Sequence, residues 1–152
     1  MRILDILRGE GIINDLFFDD YFTGDKKRVM ELCSMIQERG FHKKASFGVQ
    51  TRGDSIDKEL MIAMRAANFD SLMFGIETAV DNLMELINKK ETVQDNIDAV
   101  KLAKEMGFTV EATFIFCFPT ESFDDRFKAL SLALEIGIDR ARFNNATPYP
   151  GT

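Results

Sequence analysis

Ser71-Leu-Met-Phe-Gly-Ile-Glu-Thr78 and its downstream counterpart Thr113-Phe-Ile-Phe-Cys-Phe-Pro-Thr-Glu-Ser122 decide the fold. Each is a run of apolar and aromatic residues that breaks into a short polar turn carrying a glutamate. Strict alternation is absent and bulky residues follow one another, so each run reads as a strand buried on both faces. In parallel α/β proteins the polar groups at such strand ends line the ligand crevice. Glu77 and Glu121 therefore belong on one rim; the alternative is that they only cap or solvate the following helix.

Outward from these two strands the chain repeats one pattern. Ile12–Phe18, Ala45–Thr51 and Arg140–Ala146 read as further strands. Between them, apolar residues at helical spacing mark Lys26–Arg39, Asp57–Ala67, a turn near Asn82–Ile87, Thr92–Met106 and Ser122–Glu135. Thr92-Val-Gln-Asp95 and Ser122-Phe-Asp-Asp125 resemble capping boxes with aspartate in place of glutamate. Gly40, Gly107 and Gly137 stop helices. Arg2–Leu7 followed by Gly9 and Gly11 resembles the end of another helix. Strands recur about every thirty residues, the period of a βαβ unit. Right-handed crossovers then give either a doubly wound sheet or an arc of a β/α barrel. No Gly-x-Gly-x-x-Gly follows a strand, and no phosphate-loop Gly-Lys-Ser/Thr is present. A full eight-unit barrel needs about 250 residues, so a partial barrel of about five parallel strands with outer helices is the expected α/β architecture.

Composition bounds the function. The 152 residues fit one domain, with 45% apolar and 29% charged residues. A net charge of −6 argues against a non-specific grip on nucleic acid or anionic lipid. No stretch approaches the roughly 20 apolar residues that span a bilayer, and Asp5 interrupts the amphipathic N-terminus too early for a secretory signal. The expected location is the cytoplasm. Cys33 and Cys117 read as buried thiols, and two isolated cysteines hold neither a structural zinc nor an iron–sulfur cluster. With His42 the single histidine, a histidine triad or multi-histidine metal centre is not expected.

The strand ends offer Asp19 and Asp20, Gln50 and Arg52, Glu77, Thr120 and Glu121, then Asn144, Asn145 and Thr147. Both charge signs and several amides suit a polar small molecule bearing an ammonium, a carboxylate and hydroxyls. Arg52 could grip a carboxylate through a two-pronged hydrogen bond, or simply pair with Asp54. Glu77 could accept from the vicinal hydroxyls of a ribose. Phe114–Phe118 offers a flat apolar wall to an aromatic base, or is plain core. Asp19 and Asp20 could equally start the turn into the next helix.

Taken in order, Phe18-Asp19-Asp20-x-Phe22, Gln50-Thr51-Arg52, Phe74-Gly75-Ile76-Glu77-Thr78, Asn88-Lys89-Lys90, Phe114-Ile115-x-x-Phe118-Pro119-Thr120-Glu121-Ser122 and Thr147-Pro-Tyr-Pro-Gly-Thr152 resemble the radical S-adenosylmethionine superfamily, in particular the branch often fused to a cobalamin-binding domain. The resemblance spans essentially the whole chain. It implies that residues 1–152 are a single truncated core domain carrying the second to sixth strands of a six-stranded partial barrel. It implies S-adenosylmethionine as ligand, with Arg52, Glu77, Gln50, Ile115, Phe116 and Pro119 lining its pocket and Asp19, Asp20 and Asn144 toward the substrate.

Departures from the family pattern carry equal weight. The first strand and its Cys-x-x-x-Cys-x-x-Cys loop, which holds the four-iron–four-sulfur cluster in complete enzymes, have no counterpart here, so no metal ligand is assigned. The glycine-rich turn that usually binds the methionine amino group is also missing. The family commonly has glycine where Cys117 stands, and often at Thr120. The expectation is part of a larger enzyme, inactive alone, whose partner is the missing N-terminal portion or a second copy at the Ile12–Phe18 edge. The competing readings are a cluster-free nucleotide-binding module, and a β/α-barrel lyase or hydrolase fragment using Asp19, Asp20, Glu77 and Glu121 as acid–base carboxylates.

Overall fold

Five parallel strands lie side by side in the order of the sequence: β1 (Asn14–Phe17), β2 (Ser46–Thr51), β3 (Phe69–Glu77), β4 (Thr109–Phe116) and β5 (Arg140–Asn145). This is a computed structural model, and it describes residues 14–17, 19 and 21–148. Between the strands run α1 (Lys26–Glu38), α2 (Lys58–Ala66), α3 (Asp81–Leu86), α4 (Val93–Glu105) and α5 (Phe123–Glu135). When every crossover is right-handed and steps to the next position, all helices fall on one side of the sheet. The result is the arc of a β/α barrel rather than a doubly wound sheet. The readings of residues 1–13, Phe18, Asp20 and 149–152 lie outside the described residues.

Burial alternates along the strands, which corrects the expectation of strands buried on both faces. On β3, Leu72, Phe74 and Ile76 are fully buried, while Ser71, Met73, Gly75 and Glu77 are half-buried. The helix-covered face holds the core, where Phe17, Phe22, Phe47 and Phe69 pack with ring centroids 5.3–5.9 Å apart. Leu60, Met61 and Met64 of α2 close over them without solvent exposure. The other face stays open, because a five-strand arc does not curl far enough for opposing strands to fill it.

The capping boxes form as the sequence implies. Thr92 accepts from Asp95 N–H and Asp95 accepts from Thr92 N–H, and Ser122 and Asp125 repeat the exchange at α5. The strand boundaries shift by one or two residues from the sequence reading, which puts these strands at Ala45–Thr51, Ser71–Glu77, Val110–Phe118 and Arg140–Ala146. β3 begins at Phe69 because Asn68, at φ 66°, ends the preceding turn and ties its side-chain amide to the Ala45 carbonyl at 2.7 Å. β4 ends at Phe116 because Cys117 takes a φ of 69°. That turn leaves Cys117 exposed, correcting its reading as a buried thiol, whereas Cys33 is buried as expected. No helix among the described residues is long and apolar enough to cross a membrane.

Candidate functional site

At the C-terminal ends of β2, β3 and β4 the open face forms a cavity of about 270 Å³, lined by Gln50, Thr51, Arg52, Met73, Gly75, Glu77, Lys89 and Thr113. Its central feature is a break in the ladder. β3 and β4 keep register from Ser71–Thr109 to Gly75–Thr113, then skip a residue, so that Glu77 rather than Ile76 stands opposite Phe114. Glu77 also has a φ of 67°. Bulges of this kind re-aim side chains beside sites, and here the carboxylate folds back over Gly75. A Cβ on Gly75 would lie 2.6 Å from Glu77 Oε1, so glycine leaves the space the carboxylate uses.

Lys89 reaches this spot from the turn between α3 and α4. Its Nζ donates to the Gly75 carbonyl and lies 3.4 Å from Glu77 Oε1 and 2.8 Å from Glu91 Oε1. The Glu91 carboxylate has no solvent exposure, and its Oε2 lies 3.7 Å from Arg52 Nε. Glu77, one-fifth exposed, has its carboxyl pushed above the ordinary range by burial, opposed by the Lys89 charge and reinforced by Glu91. Among the described residues the second Glu77 oxygen accepts no hydrogen bond.

Arg52 is held on several sides. Its Nε and Nη2 donate to Asp54 at 3.0 and 2.8 Å, and its guanidinium lies 5.4 Å from the Tyr21 ring centroid. Buried Thr23 bonds Thr51 and Ser55 through hydroxyls, both at 2.6 Å, and Ser55 donates to the Arg52 carbonyl. The turn Gly53–Ser55 abuts the start of α4 so closely that a Cβ on Gly53 would meet Asn96 backbone atoms at 2.8–2.9 Å. Only glycine fits there.

The structure thus brings Gln50, Arg52 and Glu77 together. Ile115, Phe116 and Pro119 are not among the cavity's lining residues. Ile115 shares the open face with Thr113, but Phe116 lies on the helix-covered side, 5.3 Å from the Phe143 ring, and Pro119 is exposed beyond the strand. Phe114 is fully buried, so Thr113 supplies the cavity wall on β4. Asp19 is paired with Arg28 at 2.8 Å. Asn144 stands opposite Ile115 on the open face. Glu121 accepts from Cys117 N–H at 2.5 Å and from Arg126 at 2.9 Å, so it braces the turn after β4 and is absent from the cavity lining. The sequence reading gave Lys89 and Glu91 no place in the site: Lys89 entered only within the Asn88-Lys89-Lys90 motif of the family resemblance, and Glu91 only as the next charge between two apolar helices.

The donor set can hold a polar ligand: an acceptor at Glu77, amide and guanidinium groups at Gln50 and Arg52, and a thioether surface at Met73. Among the described residues no group of three or more His, Cys, Asp or Glu is placed to hold a metal ion.

Comparison with known proteins gives a consistent picture. The family model described as the Radical SAM superfamily matches residues 1–133. The chain is 36% identical over 150 residues to the Uncharacterized methyltransferase PH0819 of Pyrococcus horikoshii, covering 98% of this chain and 32% of that protein. It is 29% identical over 153 residues to the anaerobic magnesium-protoporphyrin IX monomethyl ester cyclase of Cereibacter sphaeroides, covering 99% and 25%. The fold superposes on TsrM of Kitasatospora setae, a radical S-adenosylmethionine methyltransferase seen with cobalamin and a four-iron–four-sulfur cluster. That match has a TM-score of 0.84 at 17% identity, over 93% of this chain and 29% of that one. The chain thus spans a third or less of the length of each of these proteins.

Proposed function

The chain belongs to the radical S-adenosylmethionine superfamily, and from that premise we propose that its open face supplies one wall of the S-adenosylmethionine pocket in a larger enzyme. The observation that carries the reading is the bulge that folds Glu77 over the cavity with one oxygen against Lys89 and the other unengaged.

The residues present fit part of this ligand. A cavity of about 270 Å³ is smaller than the roughly 300–1,000 Å³ of sites that enclose a drug-sized molecule, as befits one wall of a shared pocket. Glu77 accepts from the ribose hydroxyls. Arg52 keeps Asp54 on its Nε–Nη2 edge, so a ligand carboxylate meets its Nη1 side and Gln50. Lys89 fixes the Glu77 rotamer and compensates two carboxylates. Asn144 and Asp19 stand toward the substrate. When bound in a complete enzyme of this superfamily, S-adenosylmethionine is the source of the radical or methyl group that reacts.

The iron–sulfur cluster does not fit this chain. It has two cysteines, one buried within α1 and one exposed past β4, where such clusters need more thiolates converging on one point. The cluster ligands therefore come from a further segment, which pairs along the outer edge of β1. That strand has β2 as its single neighbour among the described residues, and a strand's free edge is a template for pairing.

The test is isothermal titration of the 152-residue chain with S-adenosylmethionine, beside Glu77→Gln and Arg52→Ala. Loss of a charged hydrogen bond costs about 1.5–3 kcal/mol, roughly ten- to a hundredfold in affinity. Unchanged affinity in both variants overturns the assignment.

A further inference from the structure

The open face carries a second charged cluster, apart from Arg52, Glu77 and Lys89. Glu111 on β4 accepts from Arg140 Nη1 at 2.5 Å and from Arg142 Nη2 at 3.0 Å. Register puts these residues in line with the cavity. Arg140 stands beside Glu111, which stands beside Met73, which stands beside Gln50; Arg142 stands beside Thr113, which stands beside Gly75. With strands spaced about 4.8 Å, the Arg142 backbone is one strand from the cavity wall at Thr113 and about 10 Å from Gly75.

One carboxylate holds two guanidinium groups, so the cluster keeps one uncompensated positive charge in a chain whose net charge is −6. Glu111 is 12% exposed while Arg140 and Arg142 are 65% and 54% exposed. The acid is sunk into the face and the cations keep most of their donors available. Ion pairs made by exposed arginines add little to stability, and β5 is already held by a continuous ladder from Arg140 to Asn145, so a strut for the edge strand has no need of two arginines. Residues two apart on a strand point to one side, separated by roughly 7 Å. From that spacing two long arginine side chains converge on one carboxylate, as they do on Glu111, and can converge likewise on one anionic group of a ligand. The remaining residues on these two rows, Met73, Gln50, Thr113 and Gly75, are neutral.

We propose that Arg140 and Arg142, oriented by Glu111, form a receptor for a carboxylate or phosphate group of the substrate, placing the rest of that molecule over the cavity at Thr113 and Gly75. The receptor itself stands on the Glu111 geometry; its connection to a reacting substrate rests on the pocket reading given above. The enzyme's substrate is accordingly an anion.

The experiment follows the arginine Nε–H resonances of the ¹⁵N-labelled 152-residue chain during titration with inorganic phosphate and, separately, succinate, at constant ionic strength in chloride. The expected result is a saturable shift of the Arg140 and Arg142 resonances, with affinity at least tenfold weaker in Arg142→Gln. The two titrants separate phosphate from carboxylate recognition. Arg142→Lys keeps the charge and removes the fork, and weakens binding several-fold even if the glutamine variant fails to fold. Absence of a saturable shift, or equal affinity in Arg142→Lys and the parent chain, overturns the proposal. S-adenosylmethionine titrated into the same sample reports on the Glu77 cavity, so failure of the anion site and failure of the pocket reading are told apart.

Discussion

Lys89 Nζ stands 3.4 Å from Glu77 Oε1 and 2.8 Å from Glu91 Oε1, one cation bridging the carboxylate over the cavity and the carboxylate buried beneath it. Replacing Lys89 with methionine keeps most of its volume and removes that charge. Glu91 then depends on Arg52, 3.7 Å away. Breaking one side of a buried pair is expected to cost about 3 kcal/mol, readable as a lower urea midpoint with an unchanged slope. A variant as stable as the parent would show that Lys89 holds nothing together.

Glu77 sets a pH dependence. Burial raises its carboxyl above the ordinary 4.5, against the opposing pull of Lys89. The folded chain therefore holds this proton longer than the unfolded chain. Its contribution to stability is complete below 4.5 and is lost as pH climbs through the raised value. Ligand affinity runs the other way, since the ionised carboxylate is the better acceptor for hydroxyls. A ¹³C titration of the Glu77 carboxyl should give a midpoint above 4.5; a midpoint at or below it would remove this account of the site.

How much of this was legible follows from the kind of signal each part leaves. Strand order, helix order and both capping boxes left local signatures, in apolar spacing and in Thr92, Asp95, Ser122 and Asp125. The family resemblance pointed to Gln50, Arg52 and Glu77, and the fold sets them around one cavity. The aim of Glu77 was not legible, because it depends on a register skip between β3 and β4, a relation between strands. Lys89, quoted in a family motif, was given no role and Glu91 was missed, because the value of both lies in contacts across a turn. Phe116 points under the helices rather than into the cavity because alternation along β4 gives the open face to Thr113 and Ile115.

Thr120 has a φ of 70°, where a β-branched residue is strained. Thr120→Gly is expected to stabilise the chain by about 1 kcal/mol. Differential scanning calorimetry should show a higher Tm; a fall would mean that the Thr120 side chain gives more than its backbone costs.

The two thiols should differ sharply. Burial pushes the Cys33 thiol up to about 11, whereas Cys117 is exposed, its Sγ 3.7 Å from Asn145 Oδ1. Iodoacetamide at neutral pH should label Cys117 in the native chain and Cys33 only in denaturant. Rapid native labelling of Cys33, read by peptide mass spectrometry, would contradict the packing of α1 against the sheet.

The central claim is that the open face at the ends of β2, β3 and β4 binds S-adenosylmethionine. Its most direct test is a ¹H–¹⁵N spectrum of the 152-residue chain titrated with S-adenosylmethionine to millimolar concentration. The account predicts saturable shifts concentrated at Gln50, Arg52, Met73, Gly75, Glu77, Lys89 and Thr113. Shifts centred instead on the outer helices, or an unchanged spectrum throughout, would contradict it.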